Sequence, residues 1–253
     1  MAKKSNKPNP YLLCLLASIL LAAAFLMGPF PVLIFAAFAP LFSIADHAED
    51  DFFWNKLELV GFALFVGLFA AHIHDSERAV PSLLQAIALT LGFGAFNFTR
   101  QSVGARLGRL PLLAYLLSLE YLALKAGLGT WMVFIADAMR FKGEWIRWTT
   151  ETGYLGVSLW ILAANHLFYL SVFRSGWRPG WLVLFVIVVI APVAYSLTMA
   201  GPGVDKMTML AEYGGNTAGS IYSLRAEWIP RTAAWISALI LVFAFVKGYI
   251  QKK

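Results

Sequence analysis

The run Trp181-Leu182-Val183-Leu184-Phe185-Val186-Ile187-Val188-Val189-Ile190-Ala191 has no charged side chain, and its apolar character continues to Ala200. A stretch of this length reads as a helix crossing about 30 Å of hydrocarbon. Barrel strands are excluded because they are shorter and alternate in polarity. Seven more runs of the same kind lie outward from it: Tyr11–Met27, Phe30–Ala45, Leu57–Ile73, Ser82–Phe98, Leu110–Gly127, Gly153–Phe173 and Thr232–Ile250. The second is short and interrupted by Pro40, and the break Gly28-Pro29-Phe30-Pro31 makes a tight turn before it.

Composition agrees. Of 253 residues, 60% are hydrophobic and 13% charged, and the mean hydropathy is +0.70. That charged share is about half of what a soluble domain carries. A soluble enzyme, a disordered tail and a coiled coil are excluded, because so much apolar surface could not be hidden from water. The expectation is an all-α, polytopic transmembrane bundle of about eight spans, forming one integral membrane domain over residues 1–253.

Residues 1–10 read as a cytoplasmic tail. Lys3, Lys4 and Lys7 precede the first span as in a signal peptide, yet no convincing cleavage site follows, so a retained span is expected. With eight spans, one side holds Lys3, Lys4, Lys7, Lys56, Arg100, Arg106, Arg109, Arg174, Arg178, Lys247, Lys252 and Lys253, which is 12 of the 20 basic residues. The other side holds 7, and Lys125 lies within a span. The excess puts both termini in the cytoplasm. The acidic loop Asp46–Asp51 does not weigh against this, since acidic residues contribute little to the rule. The net charge of +6 is topological, and no basic cluster with interleaved aromatics suggests nucleic acid. Cys14 is the single cysteine, so no internal disulfide or thiolate cluster is possible.

Two outer segments are long. In Trp131–Thr150, helical spacing sets Asp137, Arg140, Glu144 and Arg147 on one face, with Trp131, Phe134, Ile135, Ala138, Met139, Trp145 and Ile146 opposite. This pattern predicts an interfacial amphipathic helix over 131–150, anchored by Trp131, Trp145 and Trp148 at headgroup level. Residues 201–229 read as a short outer loop rich in glycine and polar residues.

Several polar groups are candidates for a polar or lipid-headgroup site: His72, His74, Asp75, Glu120, Glu151, Asn165 and His166. His72, His74 and Asp75 cap the third span. Residues i and i+2 point apart on a helix, so a solvated cap fits them better than a metal or catalytic site. Glu120 and Lys125 lie in the fifth span at i, i+5, a poor spacing for pairing. Lys125 is expected to snorkel outward. Glu120 needs a partner or a proton, in a structural contact or in a site. Asn165 and His166, in the sixth span, read mainly as interhelical glue. Gly153 and Gly156 precede them and suggest close helix approach. No G-x-S-x-G, P-loop or dinucleotide fingerprint is present, no metal site is indicated and no cofactor is called for.

Leu119-Glu120-Tyr121, Trp131, the stretch Thr152-Gly153-Tyr154-Leu155-Gly156-Val157-Ser158-Leu159-Trp160 and Asn165 together resemble the membrane arm of the apolipoprotein N-acyltransferases. The Pro29/Pro31 turn with Phe38-Ala39-Pro40-Leu41, and the turn Trp177-Arg178-Pro179, are similar too. The likeness covers about Leu12 to Ala200, and the last span matches in position. In that family a nitrilase-like domain carrying the catalytic Glu, Lys and Cys is inserted before the last span. Here only the 29 residues of 201–229 stand in its place, without a cysteine.

The resemblance thus implies a fold and a lipid- or acyl-chain-binding groove, but no catalytic residue. The function the resemblance implies is a non-catalytic protein of a bacterial inner membrane that binds membrane lipid or a protein partner, or serves as a subunit of a larger complex. The alternative is a divergent acyltransferase, or another enzyme acting on lipid-linked substrates at the outer face. It would draw on His72, His74, Asp75, Glu120 or Glu151.

Overall fold

A computed structural model describes residues 9–26, 31–46, 53–70, 79–104, 109–129, 131–174, 176–204 and 227–250, with side chains from 56 onward in the third of these stretches. The described residues are helices and turns, with no strand among them. The helices are α1 (Pro10–Leu26), α2 (Ile34–Ala37), α3 (Ala39–Asp46), α4 (Phe53–Ala70), α5 (Ala79–Val103), α6 (Leu110–Lys125), α7 (Thr149–Thr152), α8 (Tyr154–Val172), α9 (Pro179–Thr198) and α10 (Trp228–Ile250).

Long-range contacts give the directions. Cys14 donates its thiol to the Leu59 carbonyl (3.3 Å), and Leu21 packs on Gly67, so α1 and α4 run parallel. α5 runs against α4, with Ser82 at Leu68 and Gly61 at Thr90. α6 runs against α5 through Thr99 and Tyr115 (2.6 Å), and α10 against α6 through Ser118 and Ser237 (2.8 Å). α9 runs against α8. Asp46, Arg100, Arg109 and Tyr169 therefore meet at one end, here the basic end. Lys125 pairs with Glu227 at the opposite end.

Four helices, α5, α8, α9 and α10, are long and apolar enough to cross a membrane. The expected eight spans are not supported by that measure. α1 has 17 residues and α6 has 16, or about 24–26 Å at 1.5 Å per residue. The second run is split into α2 and α3, because Pro40 has no N–H and its ring clashes with the carbonyl of residue 36.

The amphipathic helix expected over 131–150 is not formed. That segment holds two short 3-10 turns, Ile135–Met139 and Gly143–Ile146, and begins α7. Met132 to Met139 are all buried, Asp137 among them, whereas Arg140 is exposed and Glu144 and Arg147 are half-buried, so the four charges do not share one solvent face. Gly143 instead supports a backbone contact. Its carbonyl accepts the Val204 amide at 3.0 Å, and a Cβ there would come within 2.4 Å of the Val204 carbonyl oxygen. Gly153 serves a turn between α7 and α8 and not helix approach, since its φ is +76°.

Candidate functional site

α8 is the centre of the polar architecture. Its Asn165 is fully buried and makes four hydrogen bonds. Oδ1 accepts from the amides of Phe38 (2.7 Å) and Ala39 (3.2 Å). Nδ2 donates to the carbonyls of Ile34 (2.7 Å) and Ile161 (2.9 Å). In an unbroken helix the Phe38 amide would bond the Ile34 carbonyl. At the break before Pro40, the Asn165 amide inserts between those two groups and satisfies both. This is the glue role expected of it.

A second repair lies on the other side of α8. Pro192 stands inside α9 and cannot donate to the carbonyl four residues earlier, Val188. The Trp160 indole N–H donates to that carbonyl at 2.6 Å. Trp160 is also edge-on to Phe35 (4.5 Å) and Trp148 (5.7 Å).

Glu120 is fully buried in α6. Its Oε1 accepts the Ile135 amide at 2.6 Å. The neighbouring amides of Phe134 and Ala136 go to Asp137 Oδ2 (3.0 Å) and Ser158 Oγ (3.2 Å), and Tyr154 donates its hydroxyl to Asp137 Oδ1 (2.6 Å). Three side chains thus hold the amides that start the 3-10 turn. Irregular backbone in an apolar interior needs such partners.

The remaining candidates are dispersed. Glu151 is exposed in the single turn of α7. His166 is half-buried beside Tyr169 in a parallel stack at 6.5 Å, and its buried Nδ1 has no hydrogen bond to any described residue. His72, His74 and Asp75 lie outside the described residues. Glu120, on α6, and Asn165, on α8, bind different segments, the turn at Ile135 and the α2–α3 break. Lys125 snorkels to the end of α6 and pairs with Glu227, which also takes Arg231 at 3.2 Å. No cluster of three metal-ligating side chains occurs among the described residues.

The basic-end cluster joins four elements and was not foreseen as a unit. Asp46 pairs with Arg109 and with Arg100 (3.2 Å), and accepts the Tyr169 hydroxyl. Arg109 bonds the Tyr169 oxygen at 2.7 Å and lies 4.1 Å over its ring. Burial pulls the Arg109 pKa down to about 10. Tyr169 works against that shift, and the Arg174 charge adds to it. Arg109 stays a cation at neutral pH. Basic residues at span ends read first as topology signals, so their convergence on one carboxylate was not visible along the chain.

An apolar groove of about 420 Å³ runs between α4 and α5, with Gly61 and Ala86 in its floor and Phe62, Ile87 and Leu91 along its rim. Fold and site define a class: an all-helical protein with four helices fit to cross a membrane, in which Asn165, Trp160, Glu120 and Ser158 serve interior backbone groups. No protein-family model, curated protein or solved structure matches the chain.

Proposed function

We propose that the chain is a non-catalytic inner-membrane protein of the apolipoprotein N-acyltransferase membrane-arm type, binding membrane lipid or a protein partner as a subunit of a larger complex. In this reading α1, the α2–α3 pair, α4 and α6 also cross the bilayer, making eight spans with both termini cytoplasmic. The alternating helix directions and the basic bias of 12 to 7 support it. The observation that carries the non-catalytic part is the use of Glu120 and Asn165. Both are sealed in the interior and bound to backbone groups, and neither lines the α4–α5 groove. The thiol is no substitute nucleophile, since Cys14 is buried in α1 against α4. The α4–α5 groove suits an acyl chain, being apolar and open along the helix pair.

N-acylation through a thioester needs a thiolate, a general base and an oxyanion-stabilising group. Purified protein given phospholipid and a diacylated lipopeptide is expected to yield no triacylated product above background, with Cys14→Ala behaving identically. Clear N-acylation by the pure chain would overturn this reading in favour of the enzyme alternative.

A further inference from the structure

The turn between α8 and α9 brings two more cations to the basic end. The backbone amide of Arg174 bonds the Tyr169 carbonyl, and that of Arg178 bonds the Ser171 carbonyl, which folds the turn back under α8. Arg174 is near enough to act electrostatically on Arg109, His166 and Tyr169. Among the described residues Asp46 is already shared by Arg100, Arg109 and the Tyr169 hydroxyl, and Glu58, the other carboxylate toward this end, is exposed on α4 beside the α4–α5 groove. The side chains of Arg174 and Arg178 make no ion pair or hydrogen bond with any described residue. Arg109 is only 8% exposed, and its Nε–H has no acceptor among the described residues. Guanidinium groups in excess over carboxylates at one helix end repel one another, and an oxyanion bridging them relieves that repulsion. Arg109 is also the N-cap of α6, whose first amides add positive potential.

The surroundings select the kind of oxyanion. Trp177 is 68% exposed and Trp181 is 37% exposed, on the same turn as the two arginines. Indoles at a span end mark headgroup depth. α9 begins directly beyond and presents Val183, Ile187 and Ile190 outward along an almost unburied face. Cation, indole and apolar track follow one another as phosphate, interface and acyl chain do in a phospholipid.

We propose that Arg174 and Arg178, backed by Arg109, bind the phosphate of an anionic phospholipid whose chains lie along α9. This rests on the reading that α8 and α9 cross a membrane, and it names the lipid class for one location.

The test uses the full chain in mild detergent, titrated with phosphatidylglycerol, with phosphatidylcholine of matched chains, or with inorganic phosphate, and followed by its unfolding midpoint. Phosphatidylglycerol is expected to raise the midpoint well beyond phosphatidylcholine, in a manner weakened by salt. Each of Arg174→Gln and Arg178→Gln is expected to weaken the apparent lipid affinity about fivefold, with Arg174→Lys retaining most of it. Equal shifts with the two lipids, or an undiminished phosphatidylglycerol shift in the double glutamine variant, would overturn the proposal. So would inorganic phosphate reproducing the shift, which would assign the site to a free anion. A double variant destabilised equally without lipid and with either lipid would assign the arginines to a protein carboxylate instead. Alkaline carbonate washing of native membranes separates the two readings. A chain that stays in the pellet but shows equal lipid shifts refutes the site alone, and a chain that washes out refutes the membrane reading as well.

Discussion

α8 and α9 are neighbours of nearly equal length, 19 and 20 residues, and they are opposites in burial. Of the most apolar window of α8, 67% is buried, against 6% in α9, although α9 is the more apolar helix. In water this order would be inverted, because the greasier surface would seek the core. In a bilayer the lipid tails are as apolar as leucine, and helices are held together by packing and polar contacts instead. α8 carries Tyr154, Ser158, Trp160, Asn165 and Tyr169, and each of them bonds another segment. α9 offers little beyond Ser196, its one buried residue, and the carbonyl that Pro192 leaves open.

The contrast can be broken at its strongest point first. Asn165→Leu removes the amide from the break before Pro40 and leaves the Phe38 and Ala39 amides buried without that acceptor. A loss of about 2–4 kcal/mol is expected, from roughly 1–3 kcal/mol per unsatisfied buried group. Reversible unfolding in mixed micelles would measure it, and a loss under half a kcal/mol would deny α8 its organising role.

Glu120→Ala is expected to cost about 1–3 kcal/mol by leaving the Ile135 amide without its acceptor, and Glu120→Gln clearly less, since a carboxamide oxygen can still accept. Amide hydrogen exchange at Ile135 gives an independent reading. Exchange should speed up in the alanine variant and stay slow in the glutamine variant.

A smaller effect tests the repair of α9. Trp160→Phe keeps most of the ring and loses the indole donor, for about 1 kcal/mol. Pro192→Ala returns an N–H to the Val188 carbonyl. In that background Trp160→Phe should cost measurably less, and a double-mutant cycle with no coupling would show that the carbonyl does not need the indole.

The smallest effect is expected on the outer face of α9. Ile187→Ala and Val183→Ala should change stability by no more than about 0.5 kcal/mol, because those side chains exchange one apolar neighbour for another. A cost of several kcal/mol at Ile187 would mean that this face is covered by protein and not by lipid.

The helical, membrane-type character of the chain was legible because it depends on local properties alone. Runs such as Trp181–Ala200 are apolar over enough length to require internally bonded backbone, whatever else the chain does. The outward reach of Lys125 was legible too, since a cation near a span end has one cheap direction to go. The glue role of Asn165 could be anticipated from its residue type and depth, but its partner could not. That partner lies 127 residues away at Phe38, and no periodicity links the two.

The segment 131–150 shows where a local pattern misleads. Its polar and apolar residues separate at helical spacing, yet tertiary structure overrides that spacing. Glu120, Ser158 and Asp137 take the amides of 134–136, and Asp137 is buried under Tyr154. Pro40 and Pro192 each leave backbone groups of their helices unmet. Which side chains meet those groups, Asn165 for one and Trp160 for the other, was decided only when α8 packed between them. A missing backbone bond is a local fact, whereas its replacement depends on which distant side chain the fold brings within about 3 Å.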